Sequence, residues 1–234
     1  MNENVKTLHT WIEDCKPGRM VFFGGAGVST ESGIPDFRSP DGLYAQKYGD
    51  VPPEEMISRT YFDRMIARDA LPNKAHRKLA QLEQAGTLSA VVTQNIDGLH
   101  QAAGSKVVWE LHGSVLRNYC MSCGAFYDLD AITELHEASA DGVPRCPSCG
   151  GIVKPDVVLY EEGLDGRVLE ESVMAIRRAD LLVIAGTSLA VYPAAGLIDY
   201  FSGSHLVIIN LAPTPRDRYA DLCIQAKVGE VFSF

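Results

Sequence analysis

Gly24-Gly25-Ala26-Gly27-Val28-Ser29 follows directly on the apolar run Met20-Val21-Phe22-Phe23. A short apolar run that ends in glycines reads as a buried strand opening into a phosphate-binding turn. The glycines let backbone approach a pyrophosphate, and the N-terminus of a following helix would offer free N–H groups. A tight strand-to-helix turn with no ligand would use the same residues. The dehydrogenase fingerprint is incomplete: counting from Gly25-x-Gly27, the third glycine position holds Thr30. No second strand ending in an acidic residue follows at the ribose-binding distance. Instead comes Ser32-Gly33-Ile34-Pro35-Asp36-Phe37-Arg38, a polar loop with an aromatic ring and a guanidinium. This points to a nucleotide used as a substrate, with a loop over its reactive end, rather than to hydride transfer.

Outward from this stretch, the chain alternates apolar runs with helical segments. The runs are Leu88 to Thr93, Val107-Val108-Trp109, Leu181 to Ala185 and Leu206 to Ile209. Continuous apolar runs of this length suit strands buried on both faces of a parallel sheet. Asn73 is placed to cap a helix through Gln84, with Leu79 and Leu82 inward and Gly86 beyond its end. Asp165 starts another to about Arg178, with Val168, Val173 and Ile176 inward and Arg177 and Arg178 at its C-terminal end. The pattern predicts an α/β fold with a doubly wound, Rossmann-like parallel sheet. The core takes about 1–38, 73–115 and 154–234 of a single catalytic domain. A helical and loop insert takes 39–72, with a long loop over 39–53 and a helix over 54–68.

Residues 116–153 break the rhythm and form a second insert. It carries Cys120-x-x-Cys123 and Cys146-x-x-Cys149, separated by 22 residues. Two such pairs can set four thiolates tetrahedrally around one Zn2+, which leaves no open position and makes the metal structural. A redox dithiol is the competing reading, and two matched pairs weigh against it. Cys15 and Cys223 read as buried thiols.

Polar residues collect where strands end. Gln94-Asn95-Ile96-Asp97 follows the second run, and Asn and Asp can bond a carboxamide and a ribose. His112, flanked by Gly113 after the third run, can serve as a general base. Gly186-Thr187-Ser188 and Asn210 close the next two strands, at the carboxyl edge where such sheets bind ligands. Turn chemistry alone would also use Gly, Ser and Asn there.

The 234 residues carry a net charge of -9, with 46% hydrophobic and 22% charged residues. That balance argues against nucleic-acid binding and suits basic partners such as lysine-rich peptides. No apolar stretch reaches membrane-spanning length and the N-terminus lacks a signal-peptide pattern, so a cytoplasmic protein is expected. A monomer is the expected state.

Taken in order, these motifs resemble the sirtuin family of NAD-dependent protein deacylases, in its bacterial form. The resemblance rests on GAGVSTESGIPDFR from Gly25 to Arg38, Gln94-Asn95-Ile96-Asp97, His112-Gly113, the two cysteine pairs, Lys154-Pro155-Asp156-Val157-Val158 and Gly186-Thr187-Ser188-Leu189. It implies NAD as co-substrate, held by Gly25, Ala26, Gly27, Thr30, Phe37, Arg38, Gln94, Asn95, Ile96, Asp97 and His112. Gly186, Thr187, Ser188, Asn210, Leu211 and Val228 would hold its adenosine half. His112, with Asn95 and Asp97, would carry the catalysis. Val157, Val158, Leu159 and Tyr160 would bind an acyl-lysine peptide as an added strand. The implied reaction passes the acyl group to ADP-ribose and releases nicotinamide and free lysine. ADP-ribosyl transfer to protein, or silent NAD binding by a zinc module, are the alternatives. The loop that holds Tyr44 and Tyr48 shows no Tyr and Arg pair at the spacing of desuccinylating relatives, so acetyl is the expected group, with longer neutral acyl groups as the alternative. Two positions depart from the family pattern: Gly24 stands where threonine is usual, and Glu161 where glycine is usual. The extra carboxylate of Glu161 would favour basic residues beside the target lysine.

Overall fold

The computed structural model describes residues 2–36, 65–159 and 162–234. The expectations for Phe37, Arg38, Tyr160 and Glu161, the loop over 39–53 and most of the helix over 54–68 lie outside them.

Among the described residues six parallel strands form the main sheet: β1 (Met20–Gly24), β2 (Leu88–Thr93), β3 (Val108–Glu110), β7 (Leu181–Ala185), β8 (His205–Ile209) and β9 (Leu222–Ile224). Their order is β3-β2-β1-β7-β8-β9, the doubly wound arrangement, with its topological switch between β1 and β7. Every residue of β1 and β7 is buried, as continuous apolar runs require. Alternate side chains feed two layers. Met20, Phe22, Leu181, Val183 and Val207 pack under α1 (Glu3–Glu13), α2 (Lys74–Gln84) and the short α6 (Val228–Val231), and a four-residue helix, α3 (Leu99–Ala102), follows β2. Val21, Phe23, Leu182, Ile184 and Ile208 pack under α5 (Gly166–Arg178) and a 3-10 segment at Ala194–Tyr200.

The caps read from sequence are those observed. The Asn73 side chain accepts from the N–H groups of Ala75 and His76, and Asp165 accepts from Val168 N–H. His76 returns a bond by accepting the Asn73 N–H at its Nδ1, 3.2 Å away, which closes a capping box. Among the elements that sequence patterning does not mark are α1 and the three-residue edge strand β9. The edge position also corrects the reading of Cys223, which is exposed rather than buried; Cys15 is half-buried.

A separate three-stranded antiparallel sheet has the order β5-β4-β6, from β4 (Gly113–Cys120), β5 (Phe126–Tyr127) and β6 (Val153–Val157). A helix, α4 (Leu129–Glu137), covers it through the fully buried Ile132, which packs with Cys120, Cys146 and Val153. This sheet extends a few residues past each end of the 116–153 segment. Because β4 follows β3 after only Leu111 and His112, the two sheets join at His112. Among the described residues, no helix is long and apolar enough to cross a membrane.

Candidate active site

The carboxyl ends of β1, β2 and β7 meet at the switch point. Gly25 N–H donates to the Ala185 carbonyl (3.0 Å), Gly27 N–H to the Gly186 carbonyl (2.8 Å), and Gln94 N–H to the Gly24 carbonyl (2.9 Å). These contacts explain the glycines. A Cβ on Gly25 would meet Thr187 at 2.7 Å, and one on Gly27 would meet the Gly186 Cα at 2.8 Å. Gly186 itself sits at φ 60°, a conformation that favours glycine. The turn after β1 is therefore packed backbone to backbone against the turn after β7. The α-helix expected immediately after the turn does not form there. Two 3-10 turns, Ala26–Val28 and Thr30–Ser32, follow instead. Four of the loop's N–H groups, those of Gly25, Gly27, Val28 and Ser29, are already bonded within the chain. Gly24 has its own reason: a Cβ there would lie 2.9 Å from the Phe22 ring.

A hydrogen-bonded cluster ties this loop to the residues after β2. Ser29 Oγ donates to Asp97 Oδ2 (2.6 Å) and accepts from Asn95 Nδ2 (3.0 Å). Asp97 Oδ1 accepts from Leu99 N–H, and Asn95 N–H donates to Thr93 Oγ1. Gln94 Nε2 donates to Thr187 Oγ1 (3.1 Å), which links β2 to β7. Asn95 and Thr187 are buried and Asp97 is half-buried, so each is held at the wall rather than free in solvent. Ser29 is the residue that sequence reading missed. It is 1% exposed and touches both Asn95 and Asp97, and its only signal in the sequence was a hydroxyl inside the glycine-rich turn.

His112 stands where the sheets join. Its Nδ1 lies 2.9 Å from the Gln94 carbonyl oxygen. A carbonyl only accepts, so Nδ1 carries the proton and the Nε2 lone pair is left for chemistry. Burial lowers the pKa of this imidazole, partly opposed by the Gln94 carbonyl, so the ring is neutral at pH 7. Its backbone carbonyl accepts from Val158 N–H at 3.0 Å. Gly113 follows at φ 77°, and a side chain there would collide with the Asp156 carbonyl. Nearby, Arg117 bridges the buried Glu110 (2.7 Å) and Asp156 (2.8 Å), which braces β3, β4 and β6 together.

Ile96 packs with Val115, Val157 and Leu159 in one apolar cluster, so candidate nucleotide and peptide residues share a wall. Val158 turns its N–H inward to His112. In an extended strand that leaves the polar groups of Val157 and Leu159 on the free edge. Ala26 is half-buried and Thr30 is exposed with its hydroxyl on the Gly27 carbonyl. Asn210 bonds the Ala212 carbonyl and Leu211 is 59% exposed, both beyond β8. Ser188 is half-buried beside Thr187. The Val228 side chain is buried in the core with Phe232.

The four cysteine sulfurs lie within 4.8 Å of one another. Cys120 and Cys149 are 3.5 Å apart and Cys123 and Cys146 3.7 Å. A tetrahedron with zinc–sulfur legs of about 2.3 Å has edges of about 3.8 Å, so the set fits Zn2+, whereas a disulfide would need about 2.05 Å. Tyr127 donates to Cys146 Sγ (3.1 Å) and helps lower that thiol to about 6, which favours the thiolate a metal needs.

A model of the Sir2 family matches residues 25–193. An NAD-dependent protein deacetylase of Clostridium acetobutylicum is 56% identical, with 91% of this chain and 90% of that protein covered. One from Clostridium perfringens is 52% identical over 99% of this chain and 98% of the relative. Among solved structures, Sir2 with a p53 peptide and NAD+ superposes with a TM-score of 0.86 at 39% identity, covering 99% and 96% of the two chains. Sir2 with a deacetylated p53 peptide and 3′-O-acetyl-ADP-ribose gives a TM-score of 0.89 at 39% identity, covering 97% and 95%.

Proposed function

The chain belongs to the Sir2 family, and from that premise we propose that it is an NAD-dependent protein-lysine deacylase with acetyl-lysine as its substrate. The observation that carries this reading is His112. One residue binds the Gln94 carbonyl through its ring and the Val158 N–H through its backbone, which ties the nucleotide loops to the strand that would take a peptide.

NAD supplies an electron-poor ribose carbon from which nicotinamide leaves and to which the acyl oxygen adds. His112 Nε2 receives a proton from a ribose hydroxyl, and its neutral state in the free enzyme suits it to that task. The Gln94 carbonyl fixes the tautomer and stabilises the ring once it is charged. Asn95 and Asp97, pre-oriented by Ser29, offer amide and carboxylate groups to ribose and carboxamide. Gln94, Gly25, Ala26, Gly27 and Thr30 are the candidate wall for the phosphates and ribose, with Phe37 and Arg38 as further members from outside the described residues. Gly186, Thr187, Ser188, Asn210 and Leu211 are the candidates for the adenosine half. Val228 would act there only through its backbone, given its buried side chain. Ile96 supplies an apolar surface that keeps water from the reacting carbon. Val157, Val158, Leu159 and Tyr160 would receive the peptide.

The Zn2+ site is structural, since four thiolates fill a tetrahedron. Four thiols kept for a metal suit a reducing compartment and so the cytoplasm.

The test is to incubate the protein with an acetyl-lysine peptide, with and without NAD, and follow nicotinamide and peptide mass. NAD-dependent loss of the acetyl mass is expected. Nicotinamide release with a heavier peptide would assign ADP-ribosyl transfer instead.

A further inference from the structure

Among the described residues β6 is an edge strand of the small sheet, and an edge exposes backbone groups that a second chain can use. Since Val158 N–H is spent on His112, the outward groups nearest the junction are the Val157 carbonyl and the Leu159 N–H. Both are already bonded. Lys154 Nζ donates to the Val157 carbonyl at 3.0 Å. Leu159 N–H donates to Glu162 Oε2 at 2.9 Å. Lys154 Nζ also meets that same Glu162 oxygen at 3.0 Å. The ion pair thus presents to the edge one donor and one acceptor, the two groups that the backbone of a docking peptide would bring.

We propose that Lys154 and Glu162 form a plug that mimics a peptide backbone on the free edge of the substrate strand and must be displaced for an acyl-lysine peptide to bind. The inference rests on the deacylase reading and adds to it a residue pair that sets substrate affinity. The Lys154 side chain is 18% exposed and that of Glu162 43%, so the pair is near enough to solvent to open. Like other partly exposed pairs it weakens with salt. Opening frees an ammonium beside the Val157 carbonyl and a carboxylate beside the incoming peptide.

The experiment measures KM for an acetyl-lysine peptide and KM for NAD in the parent, Glu162→Ala, Glu162→Gln and Lys154→Met. Loss of a competing ion pair and its hydrogen bond should lower the peptide KM about three- to tenfold in Glu162→Ala. Glu162→Gln, which keeps an acceptor but no charge, should fall between it and the parent. KM for NAD should not follow these changes. Raising salt should lower the peptide KM of the parent and move that of Glu162→Ala less. A peptide KM that rises, or that stays within twofold in all three variants, overturns the plug while leaving the deacylase reading intact. Absence of NAD-dependent turnover in the parent overturns both.

Discussion

β1 and β7 bury every residue between two helical layers, whereas β4 buries four of its eight and closes on a cluster of four thiols. The main sheet spreads its stability over dozens of apolar contacts, so no single group decides whether it forms. Among the described residues the cysteine end of the small sheet has a buried cluster of Cys120, Ile132, Cys146 and Val153, and two of those four are candidate metal ligands. A region with so little apolar area needs a staple. The two regions meet at His112, so the position of that ring depends on both kinds of stability at once.

Removing the staple should break the comparison most sharply. Metal chelation or Cys146→Ser should unfold the small sheet alone, since structural zinc in isolated finger peptides is worth about 10–16 kcal/mol. Hydrogen exchange should speed up by orders of magnitude at residues 118–120 and in β6 while β1 and β7 stay protected. Equal loss of protection in both sheets would show that they form one cooperative unit.

The reverse experiment is Phe22→Ala. Phe22 is fully buried against Phe232, and a cavity there should cost about 3–5 kcal/mol. The melting temperature should drop by roughly 10 °C with zinc stoichiometry unchanged. Loss of zinc from this variant would contradict separate stabilisation.

Acid should act next, through the core. His76 and His100 pack edge to face, 4.6 Å between ring centroids, and both are fully buried. Burial lowers His76 to about 4 and His100 well below its usual value. The unfolded chain therefore binds protons that the folded chain refuses. Their contribution is level above pH 6.5 and falls with pH towards 4, by up to about 1.4 kcal/mol per unit for each ring. Urea midpoints against pH should display this slope, and His76→Gln should flatten part of it; an unaltered slope would remove His76 as a cause.

The smallest effect belongs to the brace between the regions. Arg117→Met should leave Glu110 short of a partner and cost about 1–2 kcal/mol, the arginine being 38% exposed. A melting shift of only a few degrees is expected, and none at all would mean that water replaces the guanidinium.

The two regions also differed in how far they could be read in advance. Main-sheet strands announced themselves as apolar runs, and Asn73 and Asp165 as caps, because both signals are local. The zinc cluster was legible from cysteine spacing alone. β9 was missed because three residues at an edge carry no period. The helix expected after the glycine-rich turn is replaced by 3-10 turns because Gly25 and Gly27 pack against Gly186, far along the chain. Ser29 was missed for the same reason, since its role exists only once Asn95 and Asp97 are beside it. The individual roles of the nucleotide-binding residues came from family resemblance, which no spacing rule would have supplied.

The most direct measurement is the turnover of an acetyl-lysine peptide by His112→Ala, with NAD and peptide binding measured separately and folding checked by circular dichroism. Loss of a positioned base should cut turnover about 10²- to 10⁴-fold while the variant folds and still binds both substrates. Turnover within a few-fold of the parent would contradict the claim that the histidine at the junction of the two sheets carries the reaction.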